Sequence, residues 1–179
     1  MKTMTLALVL AAAIGCSKDK AKTTTPPPPV EQTAEVEQVE PKQLENNEQV
    51  SPNLSISPDI LTACGITPNK APAPSFDYDT AELTPQDREV LDKVAACLTT
   101  GPLKGKNVAL IGRADPRGTE EYNLGLGSRR AQSVFDYLAR LGVQRPQLAV
   151  STRGALDATG SDEASWAQDR RVDLTLKQP

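Results

Sequence analysis

A carboxylate and a guanidinium are the groups of this sequence most suited to recognising a small charged ligand. Asp115 lies in a loop before a long amphipathic segment, and Arg130 lies within that segment. At about 100° per helical residue, Arg130 and Asn123 fall on one face, about 20° apart, in the middle of an apolar stripe. Because a buried guanidinium is costly unless a carboxylate meets it, Asp115 is the candidate partner of Arg130.

Two interpretations of this pair are open. In the first, Asp115 and Arg130 form a structural ion pair that fastens the loop to the helix. In the second they form a split site: Asp115 accepts hydrogen bonds from a ligand ammonium, and Arg130 binds a ligand carboxylate bidentately. A zwitterionic ligand end would satisfy both groups, and Gly112 and Gly118 would let backbone amides approach it.

The composition excludes several classes of function. The sequence has no histidine, which removes Ser-His and Cys-His nucleophiles and every histidine-containing zinc site, and its three cysteines are too few for a four-thiolate site. The formal net charge of -3 gives no basic face for nucleic acid. We therefore expect a protein that is not an enzyme and has no catalytic residue, no metal, no cofactor and no nucleic-acid partner.

The N-terminus predicts export. Lys2 precedes an apolar run from Leu6 to Ile14, which is too short to span a bilayer, so residues 1–15 are predicted to be a signal peptide. The run ends in Ala13-Ile14-Gly15-Cys16, which is similar to a bacterial lipobox and predicts lipidation of Cys16. The alternative is a plain secretory peptide with an incidental cysteine. Ser17, by resemblance to sorted lipoproteins, indicates the outer membrane, with the folded domain facing the periplasm.

The remaining chain divides into a tether and a folded domain. Residues 16–73 contain a Thr/Pro run and a stretch rich in Glu, Gln and Asn, a composition that buries too little apolar surface to fold. Within this tether, the more apolar residues 56–66 are predicted to pack on the domain as a lead-in segment. Residues 74–179 are predicted to form the domain itself.

Strand and helix signals alternate along the domain. Strands are predicted at residues 75–78, 107–112, 148–152 and 172–176. Thr84, Pro85 and Asp87 predict a helix start with a capping box, and further helices are predicted at about 119–141 and 161–168. This order predicts a two-layer α/β sandwich in which helices pack on a mixed four-stranded sheet.

Two cysteines, Cys64 and Cys97, remain once Cys16 is lipidated. In an oxidising compartment an even pair predicts a disulfide, which would fasten the lead-in segment to the first predicted helix of the domain. Two buried free thiols are the alternative.

The loop and the long helix carry a recognisable pattern of spaced residues. The pattern comprises Gly112-Arg113-Ala114-Asp115-Pro116-Arg117-Gly118, Glu121-Tyr122-Asn123, Leu126, Arg129-Arg130-Ala131, Val134 and Tyr137-Leu138, with Phe76-Asp77-Tyr78-Asp79 before it and Trp166 and Arg170-Arg171 after it. Over about residues 75–176 it resembles the OmpA-like peptidoglycan-binding domain. The resemblance implies that Asp115 and Arg130 bind the amino and carboxylate groups of meso-diaminopimelate in the stem peptide. It further implies a binding role for Asn123, Phe76, Asp77, Arg113 and Gly118.

Two positions depart from that family's usual pattern. The family usually has histidine where Arg113 stands, and Arg113 is expected to add a cation at the mouth of the site. It usually has asparagine where Asp169 stands, and Asp169 is expected to pair with a neighbouring arginine and to weaken an amide-type contact.

The expected function is that of an outer-membrane lipoprotein that binds peptidoglycan and holds the membrane to the cell wall. The alternative is an envelope assembly factor that recruits other periplasmic proteins, and the resemblance leaves Tol-like partners open. A wall-modifying enzyme is a third possibility, and the absence of histidine and of a credible nucleophile argues against it.

Overall fold

The computed structural model of the protein describes residues 47–68 and 76–177. The predicted signal peptide, the lipidation site Cys16 and residues 16–46 and 69–73 of the predicted tether lie outside the described residues. The described elements are β1 (Glu48–Ser51), β2 (Leu54–Ile56), α1 (Pro58–Cys64), α2 (Pro85–Thr99), β3 (Val108–Arg113), α3 (Glu120–Arg140), β4 (Leu148–Gly154), α4 (Glu163–Asp169) and β5 (Val172–Leu176).

The strands form one mixed sheet in the order β1-β2-β5-β3-β4. β5 is parallel to β2 and antiparallel to β3, whereas β3 and β4 are parallel and are connected through α3. The predicted α/β class and mixed sheet are confirmed, with five strands in the described residues rather than four. None of the described helices is both long and apolar enough to cross a membrane.

The first predicted strand is wrong, and an unpredicted hairpin joins the sheet. Residues 76–79 form a bend and a turn, while β1 and β2 pair antiparallel within the segment predicted to be tether. Phe76 is buried, but its carbonyl oxygen accepts a hydrogen bond from Arg170 Nε at 2.6 Å and not from a neighbouring strand. Short strands of four and three residues carry little alternating pattern, which is why the hairpin went unpredicted.

Helices α2 and α3 pack their apolar sides on the sheet. On β3, Val108 and Leu110 join the main core, whereas Ala109 and Ile111 form a small cluster of their own, as alternation along a strand requires. Both helices supply much of the main core through side chains that are buried: Leu91, Val94, Ala95 and Leu98 of α2, and Val134 and Leu138 of α3.

A close approach of α3 to β3 positions the loops above the sheet. A Cβ atom added to Gly112 would lie 1.8 Å from the Gly127 carbonyl oxygen, so only glycine fits there. The Thr152 hydroxyl of β4 donates to the Leu124 carbonyl at 3.1 Å. These contacts hold the first turns of α3 against the carboxyl ends of β3 and β4.

The hairpin is tied to α2 by one buried carboxylate. The predicted capping box of Thr84 and Asp87 is confirmed. Asp87 is fully buried and also accepts hydrogen bonds from Ser51 Oγ at 2.7 Å and from Asn53 N at 3.1 Å. One carboxylate therefore accepts hydrogen bonds both from Thr84, the N-cap of α2, and from the β1–β2 turn.

We expect Asp87→Asn to lower the free energy of unfolding by about 2 to 4 kcal/mol, because an amide places a donor against donors and loses the charge-assisted bonds. Urea denaturation measures this change. Asp92→Asn, an exposed substitution on the same helix whose amide oxygen can still accept from the Tyr137 hydroxyl, is the matched control. It should change the free energy of unfolding by less than about 0.5 kcal/mol. Equal stability of the two variants would contradict the role of Asp87.

The predicted disulfide is confirmed. Cys64 and Cys97 are bonded, with Cα atoms 5.5 Å apart and a sequence separation of 33, so the bond joins the end of α1 to α2. The predicted lead-in segment therefore packs on the domain, with Ile60, Leu61 and Ile66 buried.

On the chain-entropy model, a closed loop of this length stabilises by roughly 3 to 4 kcal/mol. We expect the Cys64→Ala, Cys97→Ala double variant to lose about that free energy of unfolding in guanidinium denaturation. Mass spectrometry of the unreduced parent should show the two linked peptides. Free alkylation of both thiols in the unreduced protein would contradict the assignment.

Candidate functional site

The candidate site lies where β3 runs into α3. Residues 114–119 form the connecting loop, and Gly118 adopts a left-handed backbone conformation with φ of 94°. Thr119 then caps α3, because its side chain accepts a hydrogen bond from Tyr122 N, and two glutamates in the first turn suit the helix dipole. The cap fixes the point at which the loop that carries Asp115 joins α3.

Asp115 is a buried carboxylate surrounded by arginine. Only 4% of it is exposed. Its Oδ1 accepts from the Arg117 backbone N at 3.1 Å and from Arg117 Nε at 3.1 Å, and its Oδ2 accepts from Arg117 Nη2 at 2.8 Å and from Arg170 Nη1 at 3.2 Å. Burial alone would raise the pKa of Asp115, but the hydrogen bonds from Arg117 and Arg170 outweigh it and lower the pKa. Asp115 is therefore ionised at neutral pH.

Arg117 lies between two aromatic rings. Its guanidinium carbon is 4.6 Å from the centre of the Tyr78 ring and 4.3 Å from that of the Trp166 ring. Its Nη1 also lies 3.4 Å from a carboxylate oxygen of Glu163. Arg117 thus connects the segment of residues 76–80, the β3–α3 loop and α4.

Arg130 is fully buried and is satisfied by main-chain carbonyls. Its Nε donates to Thr80 O at 2.9 Å, its Nη1 to Arg113 O at 2.9 Å and its Nη2 to Asp77 O at 3.3 Å, and its guanidinium carbon lies 4.9 Å from the centre of the Phe76 ring. Burial, with the nearby positive charge of Arg170, lowers the pKa of Arg130 to about 10. The guanidinium consequently keeps its charge at neutral pH.

The predicted ion pair between Asp115 and Arg130 is not formed. Among the described residues, no carboxylate oxygen lies within 4.0 Å of an Arg130 nitrogen. Asp115 forms ion pairs with Arg117 and Arg170. Arg130 donates its hydrogen bonds to main-chain carbonyl oxygens. The first interpretation of the pair is therefore wrong, and the split-site interpretation stays a prediction.

The other predicted site residues adjoin this pair. The side chain of Asn123 is buried and donates through Nδ2 to Arg117 O at 3.0 Å, which fixes the loop, and Gly118 lies beside Asn123. Phe76 and Asp77 offer their carbonyl oxygens to arginines, while the Asp77 side chain is exposed.

Arg113 is not a free cation at the mouth of the site, and that expectation is wrong. It is 6% exposed, its Nη1 lies 2.7 Å from Asp157 Oδ2, and its Nε donates to Asp173. Alternation along β3 directs Arg113 to the same side of the strand as Ala109 and Ile111, toward Asp173 of β5. Two carboxylates thus compensate its charge, and its carbonyl oxygen is what Arg130 contacts.

Asp169 also differs from expectation. Its carboxylate accepts backbone hydrogen bonds from Gly160 at 2.9 Å and Thr159 at 3.3 Å, and no arginine pairs with it among the described residues. The neighbouring arginines have other carboxylates: Arg170 pairs with Asp115 and Glu163, and Arg171 pairs with Asp173. Asp169 therefore supports the loop before α4 through amide contacts and does not weaken them.

Sequence reasoning gave no role to several residues that build the site. They are Arg117, Arg170, Glu163, Tyr78, Trp166 and Thr80. Most of them belong to the quoted family pattern, which was a usable signal, but only the folded chain shows which carboxylate each arginine meets. No group of three or more Cys, Asp or Glu residues in the described ranges is arranged to hold a metal ion. What the arrangement offers is a buried anion and a buried cation close to each other.

This chain is similar to known proteins in sequence and in fold. A Pseudomonas putida protein named peptidoglycan-associated lipoprotein is 46% identical over 101 residues, which cover 55% of this chain and 59% of that protein. A Pseudomonas aeruginosa protein of the same name is 34% identical over 180 residues, covering 97% of this chain and 95% of its own length.

Solved structures agree with the sequence relatives. The crystal structure of the peptidoglycan-associated lipoprotein from Burkholderia pseudomallei is 39% identical, covers 57% of this chain and 86% of its own, and superposes with a TM-score of 0.54. The C-terminal domain of Helicobacter pylori MotB, at 18% identity and a TM-score of 0.52, shares the fold alone. The OmpA family model matches residues 75–172, more than half of the chain. The chain therefore belongs to the OmpA family, and relatives that match it are named peptidoglycan-associated lipoproteins.

Proposed function

We propose that this chain is a non-enzymatic outer-membrane lipoprotein that binds peptidoglycan through the zwitterionic end of meso-diaminopimelate. The observation that carries the proposal is that Asp115 and Arg130 are buried, charged and near each other without being paired to each other. A ligand with an ammonium and a carboxylate on one carbon can meet both groups at once. The names of the relatives support the wall as the source of that ligand.

The ligand carboxylate would bind Arg130 more strongly than the main-chain carbonyls that now contact it. A carboxylate is a better acceptor for a guanidinium than main-chain carbonyls are, because the hydrogen bonds are charge-assisted. Arg130 has no exposed surface, so residues 76–80, whose carbonyls it holds, must shift before a ligand carboxylate reaches it. Binding therefore exchanges carbonyl contacts of Arg130 for ionic ones.

The anchoring half of the proposal rests on the N-terminal region. Lipidation of Cys16 and a tether formed by the residues before β1, 16–46, would let the domain reach the wall from the inner face of the outer membrane. The alignment with the Pseudomonas aeruginosa protein, which is named a lipoprotein, spans 97% of this chain and supports that arrangement.

We expect Asp115→Asn to weaken binding to purified sacculi by at least about 30-fold, because losing one charge-assisted contact in a buried site removes roughly 2 kcal/mol or more. Sedimentation with sacculi measures the bound fraction, and thermal unfolding verifies the fold. Asp92→Asn removes a carboxylate at an exposed position and serves as the matched control. Undiminished binding of Asp115→Asn to sacculi would contradict the assignment of the ligand site to Asp115.

We expect a stem tetrapeptide that contains meso-diaminopimelate to displace the protein from sacculi, and the same tetrapeptide with lysine in that position to fail at the same concentration. In the lysine tetrapeptide the α-amino and α-carboxyl groups of lysine are in peptide bonds, so its side chain offers an ammonium and no carboxylate. Arg130 is then left without its ionic partner, and a buried polar site rejects such an analogue strongly. Calorimetry at low and high salt measures both affinities, and specific binding should persist when salt screens the surface charges. Equal binding of the two ligands would show that Asp115 and Arg130 do not read this end of the molecule.

A further inference from the structure

We propose that Arg117 is an internal competitor for the ligand ammonium: it occupies Asp115 in the empty site and must be displaced before ligand binds. This inference rests on the proposed function, since it concerns the regulation of the same site. Asp115 and Arg130 would contact the ligand, whereas Arg117 would oppose binding and lower the apparent affinity for the ligand.

The acceptor capacity of Asp115 carries the argument. An ionised carboxylate has about four lone-pair directions for hydrogen bonds. Four hydrogen bonds reach Asp115 in the structure, and Arg117 supplies three of them, two through its guanidinium. A ligand ammonium therefore finds no free acceptor direction, and one of the two arginines must leave.

Burial decides which arginine leaves. The Arg170 side chain is 6% exposed and also donates to Phe76 O at 2.6 Å, whereas the Arg117 side chain is 32% exposed and can turn into solvent. The Arg117 backbone N–H can keep its bond to Asp115 Oδ1 after the guanidinium departs. Arg117 is thus the exchangeable cation of the site.

Arg117 also links the two halves of the proposed site. Its guanidinium stacks on Tyr78, which lies in the segment whose Asp77 and Thr80 carbonyls cover Arg130. Releasing Arg117 removes a contact that holds this segment against the site. Displacement by the ligand ammonium would therefore also favour access of the ligand carboxylate to Arg130.

Trp166 makes the displacement measurable. It is the one tryptophan of the sequence, the guanidinium of Arg117 lies 4.3 Å from its ring centre, and its Nε1 donates to Gly160 O at 3.1 Å, which holds the ring in place. Titrating meso-diaminopimelate into the full-length protein should change the tryptophan emission as Arg117 leaves the ring. In Arg117→Gln the ligand should bind with little change in emission.

The decisive measurement is the affinity of Arg117→Gln and Arg117→Lys for meso-diaminopimelate by calorimetry. Removing a competitor that holds most molecules closed raises the apparent affinity, by about threefold to tenfold for an ion pair of this exposure. Arg117→Lys keeps the charge but loses the planar fork, so a smaller gain is expected. Arg145→Gln is the control: it removes an exposed guanidinium that lies over the Phe135 ring, before β4, and should leave the affinity unchanged.

The outcomes separate this inference from the proposed function. Higher affinity in Arg117→Gln, with parental affinity in Arg145→Gln, supports the competitor. Equal or weaker binding by a folded Arg117→Gln, while the parent binds, overturns the competitor and leaves the proposed function standing. Failure of both parent and Arg117→Gln to bind meso-diaminopimelate overturns the proposed function and the competitor together.

Discussion

The buried guanidinium of Arg130 constrains the segments that surround the candidate site. Arg130 lies on the apolar side of α3 with no exposed surface, so its N–H groups must find acceptors inside the protein. The carbonyl oxygens of Asp77, Thr80 and Arg113 supply them. This requirement turns the carbonyls of residues 77 and 80 toward α3 and explains why a segment with a buried phenylalanine is not a strand.

The same principle organises the neighbouring charges into two networks. In one, Asp115 is shared by Arg117 and Arg170, and Arg170 also reaches Glu163. In the other, Asp173 pairs with Arg113, at the end of β3, and with Arg171, just before β5. Each charge in these networks has at least one opposite partner, as the expense of an unpaired ion in the interior demands. Arg130 differs, because the carbonyl dipoles of Asp77, Thr80 and Arg113 take the place of a carboxylate.

The sequence was sufficient for the elements with local signals and insufficient for those set by distant contacts. The capping box of Thr84 and Asp87 marked the start of α2, an amphipathic pattern marked α3, and alternation marked β5. The β1–β2 hairpin depends on Asp87, more than thirty residues away, so no local pattern revealed it. The partner of Arg113 was equally hidden, because Asp173 is adjacent only once β3 and β5 pair.

Exposure ranks the arginines of the site by how readily each can move, and the ranking suggests an order of events. Arg130 is enclosed and would lose several hydrogen bonds at once, and Arg170 is anchored to both a carboxylate and a carbonyl. The Arg117 guanidinium can exchange its contact with Asp115 for water, because about a third of its side chain already faces solvent. A ligand ammonium would therefore meet Asp115 first, and its carboxylate would reach Arg130 only after residues 76–80 loosen. In the proposed mechanism, displacement of the partly exposed Arg117 therefore precedes access of the ligand to the buried Arg130.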